Sequence, residues 1–155
     1  HGLNILHERD VKFEVLFFGS KKIPVRAHFP HSVLGVIAPR KLAQLYRSAN
    51  IGMVFSATNY SLVPLEMMAC GLPVVEFDGE NTRQTYPKDT VEFSSPSPDS
   101  VANTVETLFQ DRLRREQLKQ ESAKFIQSLD WEKSVKSIED LIKQRLEYYC
   151  SSHES

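Results

Sequence analysis

The chain has 155 residues, 41% of them apolar and 25% charged, which is enough for one hydrophobic core and excludes a globally disordered polymer. A formal net charge of -1 lacks the basic excess of proteins that grip a phosphate backbone, so no nucleic-acid partner is expected. No apolar run approaches the roughly 20 residues that cross a bilayer, and the opening residues do not read as a secretory signal.

Two cysteines, Cys70 in an apolar helical pattern and Cys150 near the C-terminus, do not form a disulfide framework, and a reducing cytoplasm is the expected compartment. In chain order, GLNILHERD carries Leu3, Ile5 and Leu6 and reads as the end of a helix. Lys12 to Gly19 (KFEVLFFG) reads as a buried strand that stops at Gly-Ser. An alternating fold would also place a strand before that first helix.

Val25 to Phe29 (VRAHF) and Ser32 to Val36 (SVLGV) are two further strand candidates, divided by Pro30. Pro39 opens a helix (PRKLAQLYRSAN), where its missing N–H costs nothing, with Leu42, Leu45 and Tyr46 on one face. Ile51 to Ser56 is the next strand, Leu62 to Cys70 a helix stopped by Gly71, and Pro73 to Phe77 and Thr90 to Ser94 two more strands. Ser97-Pro98 starts a helix with Val101, Val105, Leu108 and Phe109 on its apolar face. Another follows from Asp111 with Leu113, Leu118, Phe125 and Ile126. Asp130 caps the last, whose stripe runs through Trp131, Val135, Ile138, Leu141, Ile142 and Leu146. Residues 1–150 are read as one domain and Ser151 to Ser155 as a polar, frayed tail.

Short apolar strands alternating with helices predict an α/β fold, a Rossmann-like, mostly parallel sheet with helices on both faces. Ligands of such sheets bind outside the carboxyl ends of the strands. That rule selects Gly19-Ser20, Ser56 to Ser61 and Asp78 to Arg83.

Ser56 to Glu66 (SATNYSLVPLE) leads hydroxyl and amide groups from a strand into a helix start, a setting suited to phosphate. Glu66 lies about one turn in. Its carboxylate either complements the helix dipole or accepts hydrogen bonds from vicinal hydroxyls such as those of a ribose; periodicity leaves both open. Asp78-Gly79-Glu80-Asn81-Thr82-Arg83 reads either as a solvated loop or as ligand contacts through Glu80, Asn81 and Arg83. The cluster Arg112, Arg114, Arg115 and Lys119 reads as a solvated helix face. The sequence contains no Walker loop, dinucleotide fingerprint or nucleophile elbow, and its five histidines lack metal-ligand spacing, so no metal is expected.

The segment ANIGMVFSATNYSLVPLEMMACGLPVVEFDGENTR resembles the donor-binding half of GT-B glycosyltransferases. More narrowly, Leu65 to Val75 (LEMMACGLPVV) resembles the second part of the signature E-G-F-G-L-P-x-L-E-A-M-A-C-G-x-P-V-V of a large retaining family, glycosyltransferase group 1. The upstream LGVIAPRKLAQLYRSANIGMVFS fits that family too. The N-Y-S-L-V-P-L-E-M-M-A-C-G and D-G-E-N-x-R variant is similar to a subgroup of bacterial surface-polysaccharide enzymes with rhamnosyltransferase-like members.

The resemblance implies that Glu66 binds the ribose hydroxyls and that Ser61, Leu62 and Val63 lie against the donor phosphates. Thr58 stands where the family has its first signature glutamate, which contacts the donor sugar, and Asn59, Tyr60 and Ser61 stand for its Gly-Phe-Gly. The expected donor-binding set is therefore Gly19, Ser20, Thr58, Asn59, Tyr60, Ser61, Leu62, Val63 and Glu66. The implied substrate is a nucleoside-diphosphate sugar, with no cofactor. The implied partner is an N-terminal acceptor-binding domain of the same protein, absent here together with the first strand, through which the full protein would meet a membrane. Catalysis by these residues alone is not expected. A non-catalytic Rossmann-like binding or regulatory domain, favoured by Thr58, and a sugar-nucleotide epimerase of the same architecture are the alternatives.

Overall fold

The computed structural model describes residues 1–153 other than 24, 25 and 57–60, with residues 131, 147 and 150–153 described through their backbone alone. The elements run α1 (Gly2–Glu8), β1 (Val15–Phe17), β2 (His31–Val33), α2 (Pro39–Ser48), β3 (Gly52–Met53), α3 (Val63–Ala69), β4 (Val74–Phe77), α4 (Glu80–Thr85), β5 (Glu92–Ser94), α5 (Pro98–Gln110), α6 (Arg112–Ser128) and α7 (Trp131–His153). Every strand pairing among the described residues is parallel, and helices flank the strands, so the α/β reading holds. The strands form two sheets, β1-β2 and β3-β4-β5. Val15 registers with His31 in the first sheet; in the second, Gly52 registers with Val74 and Val75 with Glu92.

The register of β4 organises the second sheet. Side chains alternate across a strand, and Val74 and Val75, both wholly buried, belong to different core clusters. Val75 packs with Leu6 of α1, Val101, Ala102, Val105 and Leu108 of α5, and Leu118 of α6. Val74 packs with Tyr46 of α2, Met67 and Met68 of α3, and Leu72. The first cluster is flanked by Phe13, ahead of β1, and by Ile51 and Met53; the second by Phe18 and Val54. The residues on either side of β1 thus reach one apolar layer each, while the β1 and β2 residues themselves belong to neither cluster. Strand β1 pairs with β2 alone and β3 with β4 alone among the described residues.

Helix starts follow their capping chemistry. Ser97 Oγ accepts from the Ser100 N–H at 3.2 Å, with Pro98 at the first helical position of α5. Asp111 Oδ1 accepts from the Arg114 N–H at 2.8 Å, and Asp130 Oδ1 from the Glu132 N–H at 2.9 Å. Helix α3 ends at Gly71, whose φ of +76° is the left-handed cap that glycine adopts without strain.

Four expectations change. Arg26 to Phe29 of the expected VRAHF strand are irregular, and Val25 lies outside the described residues. Phe29 is buried all the same, because its ring meets Phe13 and His31 at centroid distances of 5.6 and 6.0 Å. The Asp78 to Arg83 segment, read as loop, contains the start of α4. Helix α7 takes in Ser151, Ser152 and His153 of the expected frayed tail. The basic cluster of α6 is not a solvated face throughout. Arg114 pairs at 2.7 Å with both Asp89 and Glu92, tying α6 to β5, and Arg115 Nη1 donates to the Leu108 and Phe109 carbonyls at the end of α5.

Close approach of α3 to β3 depends on Gly52. A Cβ there would lie 2.5 Å from Met67 Sδ and 3.1 Å from Leu72 Cδ2, both in buried side chains. Gly52→Ala is therefore expected to destabilise the chain by about 1–3 kcal/mol through overpacking, read as a lower urea midpoint at unchanged m-value.

Candidate functional site

In parallel strands the carboxyl ends share one edge of the sheet, and the polar segments leave from there. Gly19 follows β1 with φ +89°, and its N–H donates to the Gly35 carbonyl at 2.8 Å, where Gly35 itself has φ +66°. Ser20 folds back on its own turn: its Oγ donates to the Lys22 carbonyl at 2.9 Å and accepts from the Lys22 N–H at 3.3 Å. Thr58, Asn59 and Tyr60 lie outside the described residues. Ser61 Oγ accepts from the Val63 N–H at 3.2 Å, and Pro64 has no N–H. Two of the first positions of α3 are therefore already accounted for without a ligand.

Glu66 sits in the first turn of α3 with its side chain exposed. Tyr46 Oη, from α2, donates to Glu66 Oε2 at 3.4 Å; the other oxygen makes no hydrogen bond among the described residues. The Tyr46 ring is buried and meets Phe18 edge-on at 5.7 Å. Since Phe18 immediately precedes Gly19, Tyr46 links the loop after β1 to the carboxylate on α3. Burial, and then the Glu66 carboxylate beside it, push the Tyr46 hydroxyl up to about 12. It remains a protonated donor throughout the neutral range. Periodicity had marked Tyr46 only as one residue of a helix face; its spacing from Phe18 and Glu66 carries no sequence signal.

The segment after β4 is largely engaged with itself. Arg83 grips Asp78 through two nitrogens, Nη2 lying 2.8 Å from Oδ2, and its guanidinium lies 5.0 Å from the centre of the Phe93 ring. The guanidinium holds the Asp78 carboxyl below the usual carboxylate range. Thr82 Oγ1 donates to the Phe77 carbonyl at 2.7 Å and accepts from the Gly79 N–H at 3.0 Å. Glu80 and Asn81 are exposed on the first turn of α4.

One carboxylate at this edge was not singled out in the sequence. Glu76 of β4 is wholly buried. Its Oε1 accepts from the Ser56 and Phe77 N–H groups, each at 2.8 Å, while Oε2 has no hydrogen-bond partner among the described residues. An unpartnered buried polar atom costs about 1–3 kcal/mol, so this placement is held against a penalty.

Among the described residues, no group of three or more His, Cys, Asp or Glu side chains is arranged to hold a metal ion, and no helix is long and apolar enough to cross a membrane. A concavity of about 490 Å³ at the α5–α6 junction is lined by Thr107, Gln110, Asp111, Arg112 and Leu113. Helix α5 starts beside the carboxyl end of β5 and runs back, so this hollow lies at the opposite edge of the sheet.

The strand-end site and parallel fold fit what comparison with known proteins finds. Residues 3–111 match the family described as glycosyl transferases group 1; that is more than half of the chain, which therefore belongs to this family. The O-antigen biosynthesis protein RfbC of Myxococcus xanthus is 30% identical over 105 residues, covering 66% of this chain and 8% of that protein. Sucrose-phosphate synthase of Thermosynechococcus elongatus superposes with a TM-score of 0.74 at 22% identity, over 95% of this chain and 42% of that structure. At that identity the superposition speaks for the fold. The chain spans less than half of either protein's length.

The Tyr46 environment makes a pH prediction. A hydroxyl that titrates higher when folded than when unfolded gives stability that is complete below about pH 10 and lost as pH rises toward about 12. Tyr46→Phe removes that contribution. Its unfolding free energy should fall less steeply than the wild type's between about pH 10 and 12, as measured by parallel urea titrations.

Proposed function

We propose that this chain is the donor half of a retaining GT-B glycosyltransferase, which passes a sugar from a nucleoside-diphosphate donor to a glycan hydroxyl in cell-surface polysaccharide synthesis. The observation that carries the reading is Glu66: an exposed carboxylate at the strand ends, steadied through one oxygen by a buried tyrosine and open at the other. A ribose diol presents two donors to such a group. Family membership supports the transferase class, and the name of the Myxococcus relative supports the polysaccharide setting.

In this reading Glu66 and the Gly19-Ser20 turn hold the nucleoside, and Ser61, Leu62 and Val63 lie along the diphosphate. By the resemblance, the role of contacting the sugar falls to Thr58, Asn59 and Tyr60, which carry neutral side chains in place of the family's acid. As the glycosidic bond breaks, negative charge grows on the leaving diphosphate, and its stabilisation falls to donors at this edge other than the Val63 N–H, which Ser61 already takes. Glu80, Asn81 and Arg83 border the same edge; Arg83 would have to leave Asp78 to reach a phosphate. No metal and no cofactor enter the scheme.

The acceptor site belongs to an N-terminal domain of the same protein. The apolar stripe of α7 supports this, since Val135, Ile138, Leu141, Ile142 and Leu146 are each between 56% and 64% exposed and call for a covering surface. The edges of β1 and β3, which pair with no common strand among the described residues, suit a further parallel strand between them. The full protein works in the cytoplasm, at the inner face of a membrane, and the isolated 155 residues are inactive. The second reading, a non-catalytic binding or regulatory domain, draws on Thr58 at the position of the family's acid. Sugar transfer by the full-length protein would exclude it.

A thermal-shift series with UDP, GDP, ADP, dTDP and their sugars tests the donor reading. A ligand at a hundred times its dissociation constant stabilises by about 2.7 kcal/mol, so at least one nucleotide should raise the wild-type midpoint by several degrees. Glu66→Ala should lose that shift. Equal shifts in both proteins would remove Glu66 from the site.

A further inference from the structure

The buried carboxylate of Glu76 has a place in the strand ladder that a backbone carbonyl would normally take. Along β3, the Gly52 N–H donates to the Pro73 carbonyl at 2.8 Å and the Val54 N–H to the Val75 carbonyl at 3.1 Å. Two residues on, regular pairing calls for the Ser56 N–H to meet the Phe77 carbonyl. It donates instead to Glu76 Oε1 at 2.8 Å, and the same oxygen accepts from the Phe77 N–H. The displaced Phe77 carbonyl is taken by Thr82 Oγ1 at 2.7 Å. One side-chain oxygen thus intercepts a donor from each of two neighbouring strands, and α4 satisfies the Phe77 carbonyl through Thr82.

We propose that Glu76 is a positioning residue of the donor site: its carboxylate ends the β3–β4 ladder at Val54 and fixes the direction in which the chain leaves β3 at Ser56 for Ser61 and α3. In this respect the inference rests on the donor reading of that edge. The position of Oε2 supports it. Glu76 is wholly buried and leaves that oxygen without a partner among the described residues, a poor arrangement for stability alone. It is what remains when Oε1 must reach Ser56 and Phe77 together. A valine at this position would extend the Val74-Val75 run and let the ladder close onto Phe77, drawing the exit of β3 toward β4. Glu76 therefore acts through backbone geometry, while Glu66 meets the ligand.

Acceptor position and charge are distinct properties of this side chain, and two substitutions separate them in the laboratory. Glu76→Gln keeps an accepting oxygen at the same reach and removes the charge. Glu76→Asp keeps the charge and withdraws the oxygen by one methylene. Amide hydrogen exchange of the Ser56 N–H and calorimetric affinity for whichever of UDP, GDP, ADP or dTDP most stabilises the wild type are measured well below each unfolding midpoint. Glu76→Gln is expected to keep both properties near wild type. Glu76→Asp is expected to lose Ser56 protection and to weaken binding at least about tenfold while remaining folded, which a merely structural residue would not do.

Wild-type exchange and affinity in Glu76→Asp would overturn the proposal, and so would impairment of Glu76→Gln with Glu76→Asp intact. If no nucleotide binds the wild type, the donor reading fails. The Ser56 exchange still decides whether Glu76 sets the exit of β3.

Discussion

The burial of β4 on both faces is the constraint from which the rest follows. Val75 requires α1, α5 and α6 on one side, and Val74 requires α2 and α3 on the other. With parallel pairing to β3 and β5, this leaves little room for polar groups along the strand, and Glu76, next to its last residue, is sealed in by backbone N–H groups. Polar groups gather where the strand ends. A three-layer arrangement therefore creates its own polar edge, and sequence determines only which groups stand there.

Two carboxylates stand at that edge, and their surroundings give them different work. Glu66 is exposed on a short helix and braced by a tyrosine whose ring is fixed in the core, so its second oxygen is open to a ligand. Glu76 is sealed inside, where its bonds go to backbone N–H groups. Asp78 forms a third case, closed off by Arg83 in a fork-to-fork pair. All three are carboxylates; burial and the nearest donor decide whether each is left open at one oxygen, bonded to backbone or closed in an ion pair.

The fold was legible because its signals are local. The caps at Ser97, Asp111 and Asp130 and the stop at Gly71 lie where the sequence places them, since each depends on a side chain or backbone conformation within a few residues. What escaped depends on contacts across the chain. Helix α4 has six residues, of which Thr82 alone is buried through a hydroxyl rather than an apolar stripe, so no periodicity announces it. The VRAHF segment has strand composition, but Phe29 finds its partners in an aromatic group. Glu76 sits in a strand of otherwise apolar residues, where nothing in PVVEF tells a buried carboxylate from a solvent-facing one. At the site, the resemblance pointed to Glu66, but the link through Tyr46 to Phe18 and Gly19 needed coordinates. Thr58, Asn59 and Tyr60 lie outside the described residues.

The stripe of α7 shows the complementary case. Its 3.6-residue period is read correctly from sequence as one apolar face, yet the face is exposed in this chain. Periodicity reports what a segment is built to bury, and the partner has to come from elsewhere. The central claim, that a nucleoside diphosphate binds at the carboxyl ends of the strands, is tested most directly by backbone amide chemical shifts on titration with UDP, GDP, ADP and dTDP. The account predicts saturable shifts concentrated at Gly19, Ser20, Tyr46 and Ser61 to Glu66. Shifts confined to the α5–α6 hollow around Thr107 and Leu113, or none with any of the four, would contradict it.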